Sequence, residues 1–195
     1  HIILNYNYIM NRKLLADLIL NKIEEDGIYL KNMYQDSENK IGYFFLDNLL
    51  PKDIAMKIYK AFPNPNLMKL RKSLREFKYI SAQMDQYDPI LEESIYAFQD
   101  ERVVNQIKSI CSIKSLHPDE YLYAGGLSLM NKGQYLNPHL DNSHDINRNR
   151  WRVLNLLYYT TPGWKYNFGG NLEIWPNGVK SNQITIESIF NRLAV

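Results

Sequence analysis

A single cysteine, Cys111, stands in this chain of 195 residues, so no internal disulfide can form and the fold does not depend on an oxidising compartment. Cys111 follows Ile107 and Ile110 on a predicted helix and reads as a small buried hydrophobe, not as a nucleophile. Apolar runs of membrane-spanning length are also lacking, which argues against a membrane protein. The start, His1-Ile2-Ile3-Leu4, has neither the basic region nor the long apolar stretch of a signal peptide, and a cytoplasmic protein is expected. Charge of one sign is scarce: 23 Lys and Arg face 21 Asp and Glu, a formal net charge of +2. The bulk field therefore favours neither nucleic acid nor an anionic membrane as partner. Two cationic clusters, Lys69, Arg71, Lys72, Arg75 and Arg148, Arg150, Arg152, are local, and the first reads as a solvated face. No internal repeat, low-complexity tract or linker interrupts the chain.

What is present is an ordinary globular balance, 45% hydrophobic and 23% charged, in 23.0 kDa, enough for one domain with a real core. Leu14, Leu15, Leu18, Ile19 and Ile23 recur at helical spacing, with Gly27 as the expected stop. Gly42-Tyr43-Phe44-Phe45-Leu46 predicts a short strand. Pro51 opens a helix with Ile54, Ile58 and Phe62 on one face, closed by Pro63-Asn64-Pro65. Asp88-Pro89 and Asp100 read as caps of two further helices, one with Leu91, Ile95 and Phe98 inward, the other with Val103, Val104, Ile107 and Ile110.

After about Pro118 the character changes. Short aromatic and β-branched runs at residues 124–130, 135–139, 152–160, 171–175, 184–186 and from 193 onward alternate with turn residues such as Lys132-Gly133 and Pro176-Asn177-Gly178. Many short strands so punctuated predict a sandwich or barrel. The expected organisation is one α+β domain over residues 1–195, with helical support to about residue 117 and a β core from about residue 118. Both ends read as cut: His1 stands where a Met would, and Leu193-Ala194-Val195 reads as the middle of a strand.

The segment richest in chemistry is Asn137-Pro138-His139-Leu140-Asp141-Asn142. In extended backbone, side chains at i and i+2 point to one side, so His139 and Asp141 can meet a single ion. An imidazole and a carboxylate suit iron(II), and a second histidine would complete a facial triad with three open positions.

Four features in order carry a resemblance to the prolyl-4-hydroxylase-like branch of the Fe(II)/2-oxoglutarate dioxygenases. Gly133-Gln134 resembles the turn opening the family's first ligand strand, and His139-Leu140-Asp141 its metal motif. Arg152-Val153-Leu154-Asn155-Leu156-Leu157-Tyr158-Tyr159 resembles the next core strand, and Gly169-Gly170-Asn171-Leu172-Glu173-Ile174-Trp175-Pro176 a later glycine-led segment. The stretch from Phe44 to Leu50 is similar to the family's entry strand and helix.

The resemblance implies a double-stranded β-helix, a jelly-roll or cupin-like barrel buttressed by N-terminal helices, with Fe(II) near its mouth and 2-oxoglutarate and O2 as co-substrates. It implies that the segment from Phe190 enters the strand before the family's second histidine, which would fall about nine residues past Val195, with a basic residue for the distal carboxylate of 2-oxoglutarate further on and the C-terminal strands missing. His144 competes for the third position but reads better as a loop residue, as does His117. Tyr159 occupies a position that in similar hydroxylases sends a phenol to that carboxylate. Asn155 has the same parity as Tyr159 and is expected to face the same cavity. Where many relatives have a tyrosine three residues before the glycine, this chain has Met130, so the pocket wall must differ. Asp141 fills the site that related halogenases leave open for chloride, which favours hydroxylation. The implied activity is oxidation of a C–H bond in a small-molecule, amino-acid or peptide substrate, with release of succinate and CO2. The competing expectation is a non-catalytic binding module with a decayed metal site. Trp151, Trp164 and Trp175 border strand ends and read as packing. Nothing in the sequence sets the oligomeric state.

Overall fold

The computed structural model describes residues 10–123 and 125–195; the readings made at His1-Ile2-Ile3-Leu4 and at Ala124 lie outside them. Helix α1 (Arg12–Glu25) begins where the Asn11 side chain accepts the Leu14 N–H, and it buries Leu15, Ala16, Ile19 and Ile23. Its end differs from the expectation. Gly27 is the first residue of a second helix, α2 (Gly27–Ser37), after a break of one residue at Asp26. The Asp26 N–H still reaches the Lys22 carbonyl and the Leu30 N–H reaches that of Asp26, so the hydrogen-bond ladder bridges the break. Helix α3 (Lys52–Ala61) follows Pro51 and buries Ile54, Ala55 and Ile58. Asp88 caps α4 (Pro89–Ala97) and Asp100 caps α5 (Glu101–Ile110), each carboxylate accepting the N–H two residues on. Helix α1 packs on α4 and α5, and α3 packs on α4. Cys111 lies buried at the end of α5, where desolvation pushes its thiol up to about 12. Among the described residues no helix is long and apolar enough to cross a membrane.

Against this helical layer lies an antiparallel sheet in the order β1 (Phe45–Leu46), β9 (Arg192–Ala194), β6 (Leu157–Tyr159). Leu46 and Tyr158 both stand opposite Leu193, so these three share a face. That face is the one turned to the helices: Leu193 is fully buried, and Leu154, Leu156 and Tyr158 pack on the core. The opposite face holds Val153, Asn155, Leu157 and Tyr159.

A second sheet is built from β2 (Lys69–Lys72), β3 (Glu76–Ser81), β4 (Leu127–Leu129) and β5 (Tyr135–Leu136). One edge of β3 carries β2; the other carries β4 opposite Tyr79, Ile80 and Ser81, then β5 opposite Glu76 and Phe77. The β2–β3 hairpin falls within the stretch expected to be helical support. Its period-two signal, Phe77 and Tyr79 alternating with Glu76 and Lys78, is short and lies next to a dense charge cluster. Gly126 sets the start of β4: its φ is +113° and a Cβ there would sit 2.2 Å from the Ser81 carbonyl oxygen, so only glycine lets the strands approach. A separate pair joins β7 (Leu172–Ile174) to β8 (Ile184–Ile186).

One buried side chain ties the layers together. Asn191, at φ 64°, accepts from the Leu50 N–H at 3.0 Å and the Tyr158 hydroxyl at 2.8 Å, and donates to the Leu50 carbonyl at 2.6 Å. Beside it, Arg192 lies over the Phe45 ring and forms a fork with Asp47, donating at 2.6 and 2.8 Å.

Candidate metal centre

The site is built outward from β5. After Leu136 the Asn137 N–H still donates to the Arg75 carbonyl at 2.8 Å, but Pro138 has no N–H and the ladder stops. His139 and Asp141 therefore lie just past the strand, where the sequence had put His139 inside it. On their far side residues 143–152 form a hairpin: the Arg152 N–H donates to the Ser143 carbonyl at 2.9 Å and the Asp145 N–H to that of Arg150 at 3.0 Å. The Asp145 carboxylate accepts from the Asn149 and Arg150 N–H groups and closes the tip. The segment between is pinned at both ends by backbone bonds.

Within it, the i, i+2 side chains converge. His139 Nε2 lies 3.3 Å from Asp141 Oδ1, with the imidazole largely covered and the carboxylate 43% exposed. The other ring nitrogen, Nδ1, lies 2.7 Å from the Asn137 carbonyl oxygen. A carbonyl only accepts, so Nδ1 carries a proton, and in the neutral ring Nε2 turns its lone pair toward Asp141. Lone pair then faces lone pair, a repulsive arrangement unless a proton or a cation lies between. An ion bound at about 2.1 Å by each donor, at near-octahedral angles, needs a separation of roughly 3 Å. The residues fit a divalent metal at this point. Among the described residues no third His, Cys, Asp or Glu joins them in a metal-holding group.

Asn155 reaches the same carboxylate. Its amide nitrogen donates to Asp141 Oδ2, and its amide oxygen accepts from the Arg152 guanidinium. The expectation gave Asn155 a place in the cavity wall; the structure spends both ends of its amide on Asp141 and Arg152. Tyr159 shares the face of Asn155, opposite Arg192 across the ladder. Burial pushes its phenol up to about 12, with Arg192 pulling the other way, so the group is a neutral donor at any ordinary pH. Among the described residues its hydroxyl has no hydrogen-bond partner, while that of Tyr158 is taken by Asn191.

The remaining candidates are engaged elsewhere. His144 Nδ1 meets Ser143 Oγ and its ring stacks on Trp151 at 4.1 Å. His117 meets Ser115. Trp164 donates to the Gly169 carbonyl at 2.7 Å and stands edge-on to Phe168. A cleft between α1 and the turn before α3, lined by Lys22, Glu25, Lys52 and Phe190 among others, contains none of the site residues. Sequence reasoning missed Asn137 and Arg152. Asn137 shares the parity of His139 and Asp141, the one signal that could have found it; nothing in the local sequence marks Arg152.

In comparison with known proteins, the model of the 2OG-Fe(II) oxygenase superfamily matches residues 125–195, the segment holding His139, Asp141, Asn155 and Tyr159. Enzymes of that superfamily use Fe(II), 2-oxoglutarate and O2. The match supports an oxygenase of this general kind. No curated protein matches the chain.

Proposed function

We propose that this protein is an Fe(II)/2-oxoglutarate-dependent dioxygenase of the prolyl-4-hydroxylase-like branch, acting on a C–H bond of an amino-acid-like, peptidyl or small-metabolite substrate. The observation that carries the reading is the apposition of His139 Nε2 and Asp141 Oδ1 at 3.3 Å, with the Asn137 carbonyl holding the imidazole in the metal-binding tautomer. His139 and Asp141 are the two ligands from this chain. The third is a histidine that the resemblance expects past Val195, and the surrounding strands are read as part of a double-stranded β-helix.

Asn155 holds Asp141 so that Oδ1 faces His139, and Arg152 fixes the amide that does the holding. Tyr159, neutral and without a hydrogen-bond partner among the described residues, donates to the distal carboxylate of 2-oxoglutarate. Fe(II) held there with 2-oxoglutarate and O2 would supply the oxidising power, with succinate and CO2 as the co-products. The carboxylate of Asp141 occupies the position a halide would need, which favours hydroxylation. A binding module with a decayed metal site is disfavoured because both donors remain converged. The single thiol, buried and inert, accords with a cytoplasmic setting.

Metal analysis after anaerobic reconstitution with Fe(II) tests the reading. In the chain that carries the third histidine, one iron per chain is expected, lost in both His139→Ala and Asp141→Ala, with substrate-dependent succinate formation lost in parallel; residues 1–195 alone should hold iron weakly. Iron affinity unchanged in both variants would sink the assignment.

A further inference from the structure

The net charge of +2 is unevenly spread. Residues 69–78 hold five cations (Lys69, Arg71, Lys72, Arg75, Lys78) and one carboxylate (Glu76), a net +4, so the rest of the chain carries +2 minus +4, or −2. These ten residues lie within the β2–β3 hairpin, residues 69–81, whose last three residues carry no charge. Glu76 takes Lys78 at 3.2 Å and Arg71 at 3.4 Å. Among the described residues Lys69, Lys72 and Arg75 have no carboxylate partner, and Lys72 rests over the Phe77 ring. Every residue of β2 is exposed.

Lysines on an edge strand commonly serve only to repel unwanted strand pairing. Here the hairpin is placed for more. Its tip is fastened to the segment that leads into His139: the Tyr135 hydroxyl donates to the Ser73 carbonyl at 3.0 Å, the Asn137 amide to that of Leu74 at 2.8 Å, and the Asn137 N–H to that of Arg75 at 2.8 Å. Leu74, at that tip, is 94% exposed. The backbone of β2 is also open. The Ser73 N–H donates to the Glu76 carbonyl. Bonded pairs alternate along an antiparallel ladder, so Leu70 and Lys72 turn their N–H and C=O groups to the free edge.

We propose that the outer edge of β2 docks an extended acidic segment of a polypeptide, pairing with its backbone and setting its carboxylates against Lys69, Lys72 and Arg75. Strand addition supplies affinity through main-chain bonds, and the cations select the charge of the incoming segment. A nucleic acid would answer the cations but not the row of N–H and C=O groups. That the docked segment is the substrate, delivered along the hairpin toward His139, rests on the oxygenase reading; the docking itself does not.

The test is fluorescence anisotropy on the 195-residue chain without metal, using a labelled peptide that alternates Glu with Val, its Lys counterpart, and oligothymidylate. The acidic peptide should bind at least roughly ten-fold tighter than either, with affinity falling as salt is added. Lys69→Glu combined with Lys72→Glu should lower its affinity by roughly ten-fold or more with an unchanged circular dichroism spectrum. N-methylation of alternate peptide residues, which leaves the protein untouched, should do the same. Equal binding of acidic and basic peptides, indifference to N-methylation, or preference for the oligonucleotide would each overturn the proposal. In a chain extended through the third histidine, docking without any iron binding would sink the oxygenase reading and leave the docking surface standing; iron-dependent succinate formation without docking would do the reverse.

Discussion

Two regions of the molecule are held together in different ways. Residues 15–127 and 186–194 supply every buried side chain among the described residues, while residues 128–185, which carry His139, Asp141, Asn155 and Tyr159, supply none. The first region is fixed by close packing of Leu15, Ile19, Leu91, Ile107 and Leu193. The second is fixed by hydrogen bonds: the Asn137 and Arg152 ladders, the Asp145 turn, and the chain Arg152–Asn155–Asp141. A strand such as β6 can serve both, because alternate residues face opposite ways. Leu156, just before it, and Tyr158, within it, pack on the core, leaving Asn155 and Tyr159 on the other side free to be polar. The lesson is a separation of tasks: stability is concentrated where the chain packs, and the site sits where few contacts resist a change of residue.

The comparison breaks first at Leu193. Leu193→Ala should lower the unfolding free energy by about 2–5 kcal/mol, read from urea unfolding, since a fully buried leucine leaves both a transfer loss and a cavity. Leu140→Ala, at a residue 92% exposed between His139 and Asp141, should change it by less than about 0.5 kcal/mol. Equal effects would show that the site region is packed after all.

Tyr159→Phe keeps the ring and removes the donor. The loss of a charge-assisted hydrogen bond, worth about 1.5–3 kcal/mol, should weaken 2-oxoglutarate by roughly ten- to a hundredfold and leave iron affinity unchanged. Titrating 2-oxoglutarate into the anaerobic iron complex and following the charge-transfer band measures it; an unchanged dissociation constant removes Tyr159 from the pocket.

Asn155→Ala should invert that pattern, with iron affinity down by roughly 10–100-fold because Asp141 loses the group that orients it. Metal competition with a chelator decides between the two roles: if 2-oxoglutarate binding falls and iron binding does not, Asn155 belongs to the pocket wall.

The smallest effect is at high pH. Burial raises the phenols of Tyr158 and Tyr159, the second to about 12, while an unfolded phenol titrates near about 10. The folded state therefore holds these protons more tightly. Their contribution is fully present below about pH 10 and is lost as pH rises toward 12. A shallower alkaline loss in Tyr159→Phe than in the wild type would bear this out, and parallel curves would not.

Much of this was legible in the sequence for local reasons. The caps Asp88 and Asp100, the proline-bounded α3, and the strands at residues 172–174 and 184–186 depend on neighbours a few positions apart. The β2–β3 hairpin was not legible, because its strands are stabilised by β4 and β5, more than forty residues away, and its own pattern is masked by charge. The His139–Asp141 pair was named from its i, i+2 parity together with the resemblance of the motifs around it. The role of Arg152 could not, since it acts through Asn155 on a residue from a different segment.

By itself the sequence determined which residues could meet a metal, because the i, i+2 parity of His139 and Asp141 is a property of extended backbone and needs no partner strand. It could not decide which side of the segment at residues 152–160 faces the site, since both sides carry apolar residues. Only the tertiary structure decided that. The helices cover Leu154, Leu156 and Tyr158, and burying that face turns Asn155 toward Asp141 and leaves the Tyr159 hydroxyl without a partner among the described residues.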